Sequence, residues 1–131
     1  MWKEVSICVV IIITIFIGNQ ITQNYSVETI EELTKGLEEL KQELHQKQEN
    51  IDVEKSNKKM DNIFKQWNER HDKLAYYIEH DELEKVETNL TSLKSYIEAN
   101  EYAEAVSELD KSVFILKHIE DKYVFNLQNI F

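Results

Sequence analysis

The hydrophobic pattern divides the chain into an uncharged first segment and a long region of helical periodicity. No Asp, Glu, Lys or Arg occurs between Val5 and Val27, and residues 9–17 are almost entirely apolar and mostly β-branched. Counted from Trp2, the run supplies about 20 residues, which matches the ~30 Å hydrocarbon core of a bilayer. The pattern predicts a transmembrane anchor and a polar connector, Asn19 to Tyr25, within residues 1–25.

A secretory signal peptide is the alternative interpretation of this segment, because its most apolar part is short and close to the amino terminus. Cleavage requires small residues at alternating positions, whereas Phe16 and Ile17 stand directly before Gly18. We therefore expect the segment to stay attached as an anchor.

The charges on either side of the segment predict its orientation. Lys3 precedes it, next to Glu4, and Glu28 and Glu31 follow it. The positive-inside rule then places the amino terminus in the cytoplasm. We expect a single-pass protein of the cell membrane whose folded domain is extracytoplasmic.

From Ser26 onward, apolar residues recur at intervals of three and four, as in amphipathic helices. Ser26, Asp81 and Asn100 are the predicted N-caps, with Glu84 at capping-box spacing from Asp81. The first break is expected at residues 50–52 or 56–57. The predicted core positions are Ile30, Leu33, Leu37, Leu40, Leu44, Met60, Ile63, Phe64, Trp67, Leu74, Tyr77, Ile78, Leu83, Val86, Leu90, Leu93, Ile97, Tyr102, Ala105, Val106, Leu109, Val113, Leu116 and Ile119.

These stripes predict an all-α fold: an N-terminal transmembrane helix followed by an antiparallel bundle of three to four helices over residues 26–131. The seam from Ile30 to Leu44 fits either a short coiled coil or packing within the bundle. Residues 126–131 are expected to form an apolar tail after the last helix. The absence of proline and the presence of only two glycines agree with long helices.

Charge excludes one class of partner and leaves another open. The net charge of -10 argues against nucleic acid, because phosphate binding requires clustered Lys and Arg. Ten acids and two lysines lie between Glu79 and Asp110, so this part of the chain is strongly negative. The acids form either a solvated face or a surface for a basic partner or a cation.

The residues that carry chemistry elsewhere do not form a recognisable motif in this sequence. The four histidines are His45, His71, His80 and His118, and neither Glu-x-x-His pairs nor His-Glu-x-x-His occurs. Cys8, in the apolar run, has no partner for an intrachain disulfide. We predict no catalytic residue, no metal site and no cofactor, and a metal-dependent enzyme is the third-ranked hypothesis.

Three residues are candidates for contact with a ligand or partner. Arg70, the single arginine, follows Trp67 by three residues, so guanidinium and indole can meet on one helix face. With Tyr77, these residues are predicted to line a pocket between helices. The alternative is that Arg70 fixes helix register by pairing with an acid on a neighbouring helix.

Several short blocks carry a resemblance to a known family: Trp67, residues 77–82, residues 98–104 and the closing residues 129–131. With the anchor, they resemble an uncharacterised family of small single-anchor proteins from spore-forming Gram-positive bacteria. The resemblance implies a helical domain with no established activity. It also implies a multi-spanning membrane protein as partner, because the genes of such proteins tend to lie beside those of the family.

Two functions follow from these observations. The leading hypothesis is a membrane-anchored, non-enzymatic accessory protein that interacts with a membrane protein. The alternative is an extracytoplasmic, sensor-like module that binds a ligand at Trp67, Arg70 and Tyr77.

Overall fold

The structure is a bundle of four α-helices. The computed structural model describes residues 1–46 and 53–130. Helix α1 spans Trp2–Gln46, α2 spans Val53–Leu74, α3 spans His80–Glu98 and α4 spans Tyr102–Ile130. These two described ranges contain no strand, and the predicted all-α fold is confirmed.

The helices form a closed ring in which each packs against its neighbours in the chain and α4 packs against α1. Ion pairs show that α4 and α1 run antiparallel: Lys41, late in α1, pairs with Asp110, early in α4. In the same way Lys94, late in α3, pairs with Asp61, early in α2. This is the arrangement of an antiparallel four-helix bundle with short connections.

Helix α1 does not break between the apolar segment and the bundle. The polar connector from Asn19 to Tyr25 is helical, and Ser26 lies inside the helix with 3% of its surface exposed. The prediction of an N-cap at Ser26 is therefore wrong. No proline interrupts the stretch, and polar side chains do not prevent a helix from continuing once both flanks are helical. At 1.5 Å per residue, α1 is about 68 Å long.

Two further predicted boundaries change. Residues 56–57 lie inside α2, where Ser56 is buried, so this proposed break is wrong, while its alternative at residues 50–52 lies outside the described residues. Helix α3 begins at His80 with Glu79 as its N-cap, so Asp81 occupies the first turn and is not the cap. Asp81 still suits that position, because a negative charge in the first turn interacts favourably with the positive end of the helix dipole.

Asn100 ends α3 instead of starting α4. Its φ of 59° is left-handed, and its backbone N–H donates to the carbonyl of Ile97 at 3.1 Å. The N–H of Glu101 donates to the carbonyl of Tyr96 at 2.9 Å. These two bonds are those of a Schellman motif, in which asparagine is the usual substitute for glycine.

The predicted core is largely the observed core. All predicted core positions are buried except Phe64, Tyr102 and Val106, which are half-buried, and Tyr77, which is 43% exposed. Tyr77 leaves the core because α2 ends at Leu74, and it therefore lies in the turn that follows. Helix α4 continues through residues 126–130, which were predicted to be a tail. Phe131 lies outside the described residues.

Candidate functional site

The first half of α1 is apolar and uncovered. Its most hydrophobic 18-residue window has a mean hydropathy of 2.2, and none of that window is buried in the structure. The hydroxyls of Ser6 and Thr14 donate to the carbonyls of Trp2 and Val10 at 2.9 and 2.8 Å. These two hydroxyls are thus satisfied within the helix, as an apolar environment requires. The apolar segment, residues 2–21, is long and apolar enough to span a membrane.

A shallow groove lies on the outer surface of the two packed helices α3 and α4. It consists of two adjoining cavities of ≈ 590 and ≈ 490 Å³, which share Asn89 and Ile115. Phe114 lines the larger cavity and is 73% exposed. We refer to this feature as the α3–α4 groove; its walls are Asp81, Glu84, Lys85, Thr88, Asn89, Ser107, Asp110, Lys111, Phe114 and Ile115.

The charges on the α3–α4 groove are arranged around an apolar floor. Asp110 is held by Lys41 of α1 at 2.7 Å, and this hydrogen bond raises the pKa of the Lys41 ammonium. Lys111 pairs with Glu108 at 2.9 Å. Asp81 and Glu84 are exposed at the other end. An exposed aromatic ring among charged residues is typical of a protein interaction surface rather than of an enclosed ligand pocket.

Phe114 was missed by the sequence analysis because it lies off the core stripe of α4. Its neighbours on the stripe, Val113 and Leu116, are buried. The sequence shows Phe114 as a large apolar residue outside the buried periodicity, but a single exposed apolar side chain is common on protein surfaces, and only the groove around it makes the position a candidate contact.

The three predicted contact residues occupy different environments. Trp67 is 1% exposed and packs in the core, with its ring 5.6 Å from that of His71. The guanidinium of Arg70 donates to the carboxylate of Glu32 on α1, which corresponds to the register role considered above. Tyr77 lines a small cavity at the end of the bundle. A ligand-binding role for these residues stays a prediction.

A cluster of tyrosines surrounds this small cavity. Asn19 and Ser26 of α1, Tyr76 and Tyr77 of the turn after α2, and Tyr123 of α4 enclose ≈ 220 Å³. The hydroxyl of Tyr123 donates to the carbonyl of Tyr77. Burial, with a further contribution from the charge of Glu82, raises the pKa of the Tyr123 phenol, so this hydroxyl is a donor at neutral pH.

Lys122 holds the start of α3 against the end of α4. Its ammonium lies 3.0 Å from a carboxylate oxygen of Glu79 and 3.2 Å from one of Glu82. Both hydrogen bonds raise the pKa of Lys122. Two of the ten acids between Glu79 and Asp110 therefore form ion pairs that join α3 to α4, while Glu84, Glu87 and Glu98 are exposed.

The histidines do not converge on a site within the described ranges. His71 lies 3.4 Å from a carboxylate oxygen of Asp72 and 3.9 Å from one of Glu87, whereas His80 and His118 are exposed. Among residues 1–46 and 53–130, no group of three or more His, Cys, Asp and Glu side chains is placed to hold a metal ion.

Comparison with known proteins identifies the bundle rather than the apolar segment. The model of a family described as a domain of unknown function, DUF4363, matches residues 22–130. No curated protein and no solved structure matches the chain. The matched residues begin where the apolar segment ends and include the part of α1 that belongs to the bundle together with α2, α3 and α4. The expectation of an uncharacterised family is thereby confirmed, and the chain belongs to the DUF4363 family of domains of unknown function.

Proposed function

We propose that this protein is a membrane-anchored, non-enzymatic accessory subunit that presents its helical bundle to a neighbouring membrane protein. The observation that carries the proposal is the continuity of α1. One helix provides both the exposed apolar segment and, from Ser26 to Leu44, a quarter of the bundle. A flexible linker would let the bundle diffuse around its anchor, whereas an unbroken helix holds it at a fixed height above the membrane.

The α3–α4 groove is the surface that we assign to the partner. Phe114 supplies an aromatic anchor, and Ile115 supplies an apolar floor beside it. Aromatic residues at the centre of a contact contribute much of the binding energy in protein interfaces. The exposed acids Asp81 and Glu84 favour a partner segment that carries basic residues next to an apolar one.

The anchor charges support an extracytoplasmic bundle. Lys3 precedes the apolar segment, while Glu28, Glu31 and Glu32 follow it. By the positive-inside rule, Lys3 favours a cytoplasmic amino terminus and so supports the proposed orientation. We therefore propose a multi-spanning membrane protein as the partner. The anchor would hold the bundle next to other proteins of the same membrane, and the family resemblance implies such a neighbour.

The decisive experiment places a photo-crosslinking phenylalanine analogue at position 114 of the full-length protein in native membranes. A defined adduct with an integral membrane protein is expected from Phe114. The matched control carries the same analogue at Asn68, which is exposed on α2 outside the α3–α4 groove. Equal adducts from both positions, or a clean monomer in detergent extracts with no adduct, would refute the proposal.

Orientation is tested separately, in a Cys8→Ala background that removes the only cysteine. Glu101→Cys, at the exposed turn before α4, is expected to react with a membrane-impermeant maleimide added to intact cells. Met1→Cys, with an initiator Met placed before it, is expected to react only after the cells are opened. The reverse pattern would place the bundle in the cytoplasm.

A further inference from the structure

The turn that joins α2 to α3 exposes aromatic side chains at one end of the bundle. Tyr76 is 82% exposed and Tyr77 is 43% exposed, and Ala75 beside them is also exposed. We refer to residues 75–79 as the α2–α3 turn. Next to it, the ammonium of Lys73 lies 5.5 Å from the centre of the Tyr25 ring on α1. These tyrosines contrast with the large apolar side chains of the bundle that the structure describes, most of which are covered.

The contacts of the α2–α3 turn give its height relative to the apolar segment. Tyr76 and Tyr77 line the same small cavity as Asn19 and Ser26 of α1. If residues 2–21 cross the ~30 Å hydrocarbon core, then residues 19–26 lie within about 8 Å of its edge. The α2–α3 turn is therefore level with the polar headgroups of the bilayer.

The end of α4 supplies a second, independent observation. Helix α4 runs antiparallel to α1, so beyond Tyr123 it continues towards the apolar half of α1. The backbone is helical to Ile130, which is about 10 Å further at 1.5 Å per residue. No charged residue occurs in residues 123–130, whose sequence is Tyr-Val-Phe-Asn-Leu-Gln-Asn-Ile. An uncharged helical extension in this direction is suited to the bilayer interface.

We propose that the α2–α3 turn and residues 124–130 of α4 form a lipid-contacting surface, with the turn at the headgroup region of the membrane that holds the anchor and the end of α4 reaching the edge of its hydrocarbon core. This inference rests on the proposed function, because it requires that the apolar segment span that membrane. Tyrosine is enriched at membrane interfaces, since its ring is apolar and its hydroxyl is hydrated there. Lys73 can place its ammonium near lipid phosphates while its methylene groups cover the Tyr25 ring.

The lipid surface would give the bundle a second point of attachment. A single helix leaves the bundle free to tilt with its anchor, whereas three elements at the interface fix the angle between bundle and membrane. The α3–α4 turn lies at the opposite end, away from the lipid. The α3–α4 groove would then face sideways, towards a neighbouring protein in the same membrane.

The test uses the full-length protein in phosphatidylethanolamine–phosphatidylglycerol vesicles, with Cys8→Ala as background. A spin label is attached at Tyr76→Cys or, as matched control, at Ala103→Cys, which is exposed at the far end of the bundle. We expect the label at position 76 to collide several-fold less often with a water-soluble nickel chelate, and more often with oxygen, than the label at position 103.

The outcomes separate this inference from the proposed function. Co-flotation with vesicles tests the anchor; if the protein does not float, the anchor and the lipid surface both fail. If it floats and both labels are equally accessible to the nickel chelate, the α2–α3 turn stands in water and only the lipid surface is refuted. Protection of position 76 from both nickel chelate and oxygen would instead indicate a protein contact, which also refutes it. Circular dichroism of each labelled variant verifies the fold.

Discussion

Glu43 of α1 and Lys59 of α2 form an ion pair at 2.9 Å where the carboxylate is almost covered. Only 7% of the Glu43 side chain is exposed, and its second oxygen lies 3.0 Å from the ammonium of Lys55. Burial by itself raises the pKa of this carboxyl, but the hydrogen bonds from Lys59 and Lys55 outweigh burial, and the pKa of Glu43 is lowered. One carboxylate thus joins α1 to two successive turns of α2.

We expect Glu43→Gln to lower the free energy of unfolding by about 2 kcal/mol at pH 7, because the ion pairs with Lys55 and Lys59 are lost. The pKa of Glu43 is lowered in the folded state, so its contribution is present above the ordinary value of 4.5 and disappears as the pH falls through the folded value. Thermal unfolding in detergent, followed by circular dichroism from pH 7 to pH 3, measures both effects.

The matched control is Glu39→Gln, one helical turn earlier and exposed. A surface carboxylate contributes little to stability, so we expect the free energy of unfolding to change by less than about 0.5 kcal/mol at pH 7. An equal loss in both variants would mean that net charge, and not the contact with Lys55 and Lys59, determines the stability difference.

Periodicity predicted the core because burial in a helical bundle repeats with the helix turn. The burial of Leu37, Leu90 and Leu109 could be predicted from their spacing alone, without knowing which residues they contact. Helix ends were harder to place, because Ser26 and Asn100 have capping propensities that also fit other positions. Ser26 packs inside a continuous helix, and Asn100 adopts the left-handed conformation that ends α3. In both cases the packing of the helices, and not the capping propensity of the residue, determined where the helix begins or ends.

The surfaces could be predicted only in part, because they depend on which residues the fold brings together. The sequence indicates that the apolar segment can span a membrane, but not that the α2–α3 turn lies beside Asn19. The pairing of Arg70 with Glu32 joins residues far apart in the chain, and several other acids were equally plausible partners before the ring of helices was known. From the sequence, Phe114 could be recognised only as an apolar residue outside the buried positions of α4.

Gly36 occupies the interior of α1, where glycine costs stability relative to alanine. A Cβ built there would lie 3.5 Å from Cγ1 of Ile63 and 3.9 Å from its Cδ1, which are ordinary van der Waals distances. We therefore expect Gly36→Ala to raise the free energy of unfolding by about 0.5–1 kcal/mol, since it restricts the unfolded chain and adds a contact. Denaturant unfolding of the full-length protein in mild detergent provides the measurement.

Gly18→Ala is the control for this substitution. Nothing lies within 4 Å of a Cβ at Gly18, and the residue belongs to the apolar segment outside the bundle. Bundle unfolding should be unchanged. A loss of stability in Gly36→Ala would show that Ile63 cannot accommodate the methyl group and that α1 and α2 approach more closely there than these distances allow.

Trp67 and Phe114 should respond differently to truncation, because one is core and the other surface. Trp67 is 1% exposed, and we expect Trp67→Ala to cost about 3–5 kcal/mol. Trp67→Phe should cost less, because the indole Nε1 is buried and finds no acceptor among the described residues.

Phe114→Ala should change the free energy of unfolding by less than about 0.5 kcal/mol while abolishing recovery of the partner in a pull-down. A large loss of stability in Phe114→Ala would remove it as a contact residue.

Glu120 of α4 and Glu31 of α1 face each other near the anchor end of the bundle. Partial burial raises the pKa of Glu120, and the nearby Glu31 carboxylate raises it further through repulsion and a shared hydrogen bond. A carboxyl whose folded pKa exceeds its unfolded value opposes folding once it is ionised. The pair is therefore a built-in source of instability at neutral pH.

We expect Glu120→Gln to raise the free energy of unfolding at pH 7 by about 0.5 kcal/mol, because it removes the repulsion. The gain should vanish as the pH falls through the folded pKa of Glu120 towards the ordinary value of 4.5, where the native carboxyl is itself neutral. Thermal unfolding in detergent at pH 7 and pH 4 measures the difference.

Glu31→Gln should give a similar gain in the free energy of unfolding, and the double variant should add little, since either substitution alone removes the repulsion. If Glu120→Gln destabilises the bundle at pH 7, the ionised carboxylate of Glu120 has a stabilising partner that outweighs Glu31.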